Sequence, residues 1–251
     1  MKIISYEEIS KLNIPSLKCL DWIEYVMKNK DKFILPTKTR ISLEKSNYFN
    51  VMPCVLPDND IIGLKVVTRN EERREISCNS LNLDGQILLY DYKYENLQAI
   101  IDANYITSMR TAAMCVYSLK QIVKDNFEII SFIGLGNIGN GICKILFELY
   151  KEKEFTVKLY NYKNHAEKVI NRFKNYKNIN FVLCNSYEEL MQDSDVIISS
   201  VTFIENDFCD QSLYKKGCTI FPVHMRGFME CDKFFDNIIT SDLESIKKFK
   251  Y

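Results

Sequence analysis

The run Phe132-Ile-Gly-Leu-Gly-Asn-Ile-Gly139 concentrates glycine where the rest of the chain has little of it. Only 8 of 251 residues are glycine, yet Gly134, Gly136, Gly139 and Gly141 fall within eight consecutive positions. At this spacing the first glycine makes a tight turn out of a strand. The second lets a pyrophosphate approach the backbone, and the third lets a helix pack closely on the strand. Free N–H groups at the start of that helix, with the helix dipole behind them, bind phosphate. The chemistry indicated is dinucleotide binding, with Gly134, Gly136, Asn137, Ile138 and Gly139 around the phosphates. About twenty residues further on, where an acidic residue would favour NAD, stands Asn161. Its amide can still hydrogen-bond a ribose hydroxyl. Lys163 can meet a 2′-phosphate or remain a solvated surface charge, so these residues leave both NAD and NADP open.

Three cations ahead of the glycine turn have the chemistry to hold an anionic substrate. Arg40 lies on a β-rich run and Arg110 opens a helical one, and each taken singly also reads as a surface charge. Lys65 differs, because it interrupts the apolar run Ile61-Ile-Gly-Leu-Lys-Val-Val. A lysine there must either snorkel to water or meet an anion. The small residues Thr111-Ala-Ala after Arg110 would let a cofactor or another backbone come close. His224 has the pKa range for an acid or base near neutral pH, though a single histidine is more often a packed side chain.

Two kinds of periodicity must position these residues. Ser5-Tyr-Glu-Glu reads as a capped helix start, and Leu17 to Met27 as a second helix. From Phe33 to Tyr90 short β-rich runs alternate with Pro, Asn and Asp, which predicts a mostly antiparallel sheet. A further strand over Asn96 to Ile101 leads into a long bridging helix from Tyr105 to about Val123. Beyond Glu128 strands at 129–133, 156–160, 180–184, 196–200 and 219–223 alternate with helices at 138–150, 166–173 and 187–191. That order predicts a parallel sheet covered on both faces. The expected architecture is α/β: an α+β substrate-binding and dimerisation domain over 1–124, then a Rossmann-type doubly wound dinucleotide-binding domain over 125–251.

Composition narrows the partners. Lys+Arg and Asp+Glu both number 33, so no net field attracts nucleic acid or an anionic membrane, and a small molecule is the expected partner. No stretch approaches the roughly 18 apolar residues of a bilayer span, and the charged start Met1-Lys-Ile-Ile-Ser-Tyr-Glu-Glu fits a cytoplasmic protein. Nine scattered cysteines and only two histidines, His165 and His224, supply a zinc site poorly. The cysteines read as small buried side chains.

Met52-Pro53, Gly63-Leu-Lys65, Leu88-Leu-Tyr-Asp, Thr107-Ser-Met-Arg110-Thr-Ala-Ala and Ile133-Gly-Leu-Gly-Asn-Ile-Gly139 together resemble the ornithine cyclodeaminase/mu-crystallin family, in order and separation. The resemblance runs from the N-terminus to about Glu244 and implies NAD(P)-dependent hydride transfer at the α-carbon of an amino or imino acid. It further implies that Arg40, Lys65 and Arg110 bind the substrate carboxylate, that Lys65 assists proton transfer, and that the protein is a homodimer. Asn50 stands where the cyclodeaminases carry a Glu, and the loop Pro222-Val-His-Met-Arg-Gly-Phe228 lacks their Asp. That loop, with Asn185-Ser-Tyr-Glu-Glu and Asp195-Val-Ile-Ile-Ser-Ser, is similar instead to the branch that makes 2,3-diaminopropionate for siderophores. Family members usually continue beyond the position of Tyr251, which marks the chain as a fragment or a shortened protein.

Three functions follow as expectations. The first is an oxidoreductase acting on the C–N bond of an amino acid or N-substituted amino acid. The second is a cyclodeaminase that regenerates its NAD⁺. The third is a nucleotide-binding protein without turnover.

Overall fold

The computed structural model describes the chain except residues 45–46, 71–82, 203, 209, 225–226, 231–232 and 242–251. It divides into two compact units. The first comprises Met1–Ile14 and Glu24–Thr107 with residues 239–241, and the second Pro15–Ile23 and Ser108–Ile238. The long bridging helix thus goes with the second unit from Ser108 on, whereas its sequence pattern groups it with the first.

The first unit is built on six strands: β1 (Lys2–Ile4), β2 (Thr39–Ser42), β3 (Tyr48–Leu56), β4 (Ile61–Arg69), β5 (Leu83–Asp91) and β6 (Leu97–Asp102). Their order is β1-β6-β5-β4-β3-β2. Neighbours from β2 to β6 pair antiparallel, as the turn-rich sequence predicts. The exception is β1, which adds parallel to β6 with Lys2 beside Ala99. Helix α1 (Tyr6–Lys11) starts where the sequence signals it. The Ser5 hydroxyl accepts from the Glu8 N–H at 3.2 Å, and the Ser5 N–H donates to Glu8 Oε2 at 2.8 Å. Such reciprocal capping satisfies two otherwise orphaned donors.

The second unit holds five parallel strands, β7 (Ile129–Ile133), β8 (Phe155–Tyr160), β9 (Ile179–Cys184), β10 (Val196–Ser199) and β11 (Thr219–Pro222). They lie in the order β11-β10-β7-β8-β9. Counted from β7, the order is 5-4-1-2-3, the Rossmann-type doubly wound arrangement. The chain reverses direction across the sheet between β7 and β10, which leaves a crevice at their carboxyl ends. The two strands pair in register there, Ile133 beside Ser199.

Helices α2 (Ser16–Lys28), α3 (Asn104–Ile122), α4 (Asn137–Leu149), α5 (His165–Phe173) and α6 (Tyr187–Met191) complete the chain. On α3 the buried residues Met109, Ala112, Ala113, Cys115, Val116 and Leu119 recur at helical spacing. Ala112 allows close packing of α3 on α4: a side-chain carbon on Gly141 of α4 would lie 3.0 Å from Ala112 Cβ. Phe147 of α4, fully buried, makes edge-on ring contacts with Phe132, Phe173 and Phe181. The hydroxyls of Ser131, on β7, and Ser194 are hydrogen-bonded at 2.6 Å and both lie within reach of the Leu190 carbonyl, so one donates to the other and the second to the carbonyl, which ties α6 to the sheet.

Among the described cysteines, Cys19, Cys54, Cys115, Cys143, Cys184 and Cys218 are free thiols, and all but Cys54 are buried. Burial pushes Cys115 and Cys218 up to about 12, so both stay protonated and act as packing groups. Cys78, Cys209 and Cys231 lie outside the described residues. No helix among the described residues is long and apolar enough to cross a membrane.

Candidate functional site

β7 delivers the chain to the crevice, and the glycine turn follows at once. Gly134 takes φ 83°, a left-handed conformation that side chains rarely adopt. A side chain there would also strike the Val201 backbone nitrogen at 2.9 Å. Gly139 is a close-approach position, since a Cβ would lie 2.3 Å from the Gly134 carbonyl oxygen. Gly136 is different: it is the N-cap of α4, no side chain caps the helix there, and a Cβ would meet nothing within 4 Å. Open space thus stands before the first N–H groups of α4, on Asn137, Ile138 and Gly139, which have no carbonyl partner inside the helix. Those donors, with the helix dipole behind them, fit the pyrophosphate of a dinucleotide.

Two side chains hold this turn that the sequence reading did not single out. Asn140 donates from Nδ2 to the carbonyls of Leu135 at 2.6 Å and Gly136 at 3.0 Å. Its Oδ1 in turn accepts from Arg172 of α5 at 2.7 Å. Across the crevice, Ser200 donates its hydroxyl to the Gly134 carbonyl, fixing the end of β10 to the turn. Its neighbour Ser199 is fully buried, and its hydroxyl has no hydrogen-bond partner among the described residues. Asn140 and Ser200 were invisible because their partners are backbone carbonyls, brought near only by the turn and by strand order.

At the end of β8, Asn161 and Lys163 occupy the region expected for the ribose. Asn161 is exposed and its N–H donates to the Cys184 carbonyl at 2.9 Å. Lys163 has φ 48°, and its Nζ lies over the Tyr162 ring, 5.1 Å from the centroid.

Arg40 and Lys65 come together on the first unit's sheet. Arg40 pairs with Asn50, and Lys65 with Met52, two residues further along β3. Paired residues and residues two apart share a face, so Arg40, Asn50, Met52 and Lys65 line one side. Arg40 is exposed, with its guanidinium over the Tyr48 ring at 4.3 Å, while Lys65 is half-buried. Between them sits Asn50, buried, with its Oδ1 lacking a hydrogen-bond partner among the described residues. An acceptor left unmade in this way costs stability, so it marks a place where another donor is expected.

Arg110 lies on α3, in the second unit. It is exposed on the surface of this chain, yet desolvation lowers its guanidinium pKa from the ordinary value. Thr111 beside it is half-buried. His224 follows β11 in a turn and is half-buried. Of the same loop, Met225 and Arg226 lie outside the described residues. Gly227, where the siderophore-branch segment has its Asp, takes φ 83°. A Cβ on Gly227 would lie 1.9 Å from Phe208 Cε2, so no acidic side chain fits there unless that ring moves.

The family model of the ornithine cyclodeaminase/mu-crystallin family matches residues 2–222. The chain belongs to this family. Among its relatives is the N-((2S)-2-amino-2-carboxyethyl)-L-glutamate dehydrogenase of Staphylococcus aureus, 27% identical over 62% of this chain and 48% of the relative. Another is the Delta(1)-pyrroline-2-carboxylate reductase of Bacillus cereus, 26% identical over 68% of this chain and 52% of the relative. The chain therefore spans about half the length of these two family members. The same fold occurs in the Delta(1)-pyrroline-2-carboxylate reductase of Thermococcus litoralis, solved in complex with NADH and L-proline. That structure superposes with a TM-score of 0.76 at 23% identity, over 88% of this chain and 68% of that one.

Proposed function

We propose that this chain is an NAD(P)-dependent oxidoreductase that acts on the C–N bond of an amino acid or N-substituted amino acid by hydride transfer at the α-carbon. The observation that carries the reading is the open, uncapped helix start at Gly136, set at the switch point of a doubly wound sheet. Nicotinamide, when bound, supplies the hydride acceptor or donor. The protein's part is binding and orientation, from which much of the catalysis follows.

On the sheet of the first unit, Arg40 and Lys65 bind the substrate carboxylate. The buried Asn50 Oδ1 accepts from the N–H of its amine or imine, and Lys65 assists proton transfer at that nitrogen. Arg110 is assigned as a further carboxylate contact, and His224 as an acid or base near neutral pH. An Arg110→Ala variant is expected to raise KM, and a His224→Ala variant to remove one limb of the pH profile. The relatives' names support the substrate class, since both denote carboxylates with nitrogen bonded at the α-carbon. For assembly, the reading includes a homodimer through the first unit. Its edge strand β2 is exposed along its length, with Ile41 50% exposed, and light scattering tests this.

Ornithine cyclisation is disfavoured by two positions. Asn50 is neutral where the cyclodeaminases place a carboxylate, and the loop Pro222-Val-His-Met-Arg-Gly-Phe228 lacks their Asp.

The test is turnover of amino acids with NAD⁺ or NADP⁺, and of cyclic imines with the reduced nucleotides. Net, stoichiometric change in nicotinamide absorbance is expected, lost in Lys65→Ala while nucleotide affinity stays within about twofold of wild type. Ammonia release from ornithine without net NADH would show a lyase instead. Nucleotide binding without turnover on any substrate would show a binding protein.

A further inference from the structure

Asn161 ends β8 facing the first turn of α5. With its amide oriented so that the NH₂ group meets Glu167, that nitrogen lies 3.1 and 3.3 Å from Oε1 and Oε2 of the carboxylate. A carboxylate only accepts, so the Asn161 NH₂ is committed to Glu167 and its Oδ1 is left as an acceptor. Glu167 is itself favoured in place by the positive end of α5. The pair therefore presents an acceptor backed by a negative charge, much as a single acidic residue would at this position.

Two of the nearby cations make contacts elsewhere. Lys163 Nζ lies over the Tyr162 ring, whose edge also packs against His165 with the rings at 88°. Arg172, one turn further along α5, donates to Asn140 at the glycine turn. Lys168 follows Glu167 in sequence and is turned about 100° around the helix from it.

We propose that Asn161 and Glu167 make the site selective for NAD(H) over NADP(H). The Asn161 Oδ1 accepts a hydrogen bond from the 2′-hydroxyl of the adenosine ribose, and the Glu167 carboxylate repels a 2′-phosphate at the same place. The proposal rests on the nucleotide-binding reading above and assigns its selectivity to a helix residue outside the usual position at the strand end.

The experiment is a fluorescence titration of the 251-residue chain with NADH and with NADPH, in wild type and in Glu167→Gln. Wild type is expected to bind NADH roughly tenfold more tightly or better, and Glu167→Gln to bring the ratio towards one by strengthening NADPH. Equal affinities in wild type, tighter NADPH, or a ratio unchanged in the variant would overturn the proposal. A salt series on wild type needs no variant: screening should narrow the ratio, because the pyrophosphate contacts are common to both nucleotides. A ratio indifferent to salt counts against it and decides the matter if Glu167→Gln fails to fold. If neither nucleotide binds, the functional reading itself falls and the selectivity with it. Binding of at least one, without the expected ratio, removes the selectivity alone.

Discussion

At Gly139 and Asn50 single atoms decide what the chain tolerates. A methyl group on Gly139 would press on the Gly134 carbonyl at 2.3 Å. Gly139→Ala is therefore expected to lose about 2 kcal/mol or more of stability in denaturant unfolding, with nucleotide affinity lost alongside. Asn50 works in the opposite sense. Its buried, unpartnered Oδ1 costs the free protein stability, so Asn50→Val should leave the melting temperature unchanged or raised. The same change should raise KM for the amino acid about tenfold or more, with nucleotide affinity unaltered, as measured by steady-state kinetics and titration. A melting temperature lowered by several degrees would show that Asn50 is structural. The glycines were legible in the sequence because their spacing is itself the chemistry. Asn140, Arg172 and Ser200 were not, because each acts on atoms brought near only by the fold.

Among the elements, Asp195 fastens the start of β7 to β10. Its Oδ2 accepts from the N–H groups of Glu128 at 2.8 Å and Ile129 at 2.9 Å, and its Oδ1 from Lys215 at 2.5 Å. Desolvation raises the Asp195 carboxyl, but the hydrogen bond from Lys215 and those from the two backbone N–H groups together outweigh it, so its pKa is lowered. A lowered carboxylate pKa adds stability above the unfolded value, and this is lost as pH falls through the folded one. Asp195→Asn should thus cost about 1.5 kcal/mol at neutral pH, and the difference from wild type should shrink as the pH drops below the ordinary carboxylate range. A constant difference across that range would assign the effect to geometry rather than charge. The sequence read this element as a strand over Val196 to Ser200, but only the pairing with β7 reveals the role of Asp195. Similarly, β1 was read only as a charged N-terminus. Three residues are too few to show alternation, and their strand character comes from parallel pairing with β6.

Over the whole molecule, alternation of strand and helix after Glu128 was enough to read a parallel sheet, and the glycine turn enough to place its crevice. Strand order was not readable, because crossover connections leave no local mark; the observed order nonetheless sets Gly134 against Ser200 and Val201, 66 and 67 residues away. The assignment of α3 was equally hidden. Its small residues suit either a ligand or a helix, and of them Ala112 lies against Gly141 of α4. What the molecule does depends on whether a dinucleotide sits on the open turn at Gly136. The decisive measurement is a titration of wild type and Gly136→Val with reduced nucleotide, following fluorescence, with thermal melts in parallel. Wild type should bind saturably, and Gly136→Val should melt within a few degrees of it, since a Cβ at that position meets nothing within 4 Å, yet bind at least about tenfold more weakly. Equal binding by the two proteins, or none by wild type, would contradict nucleotide binding at this turn.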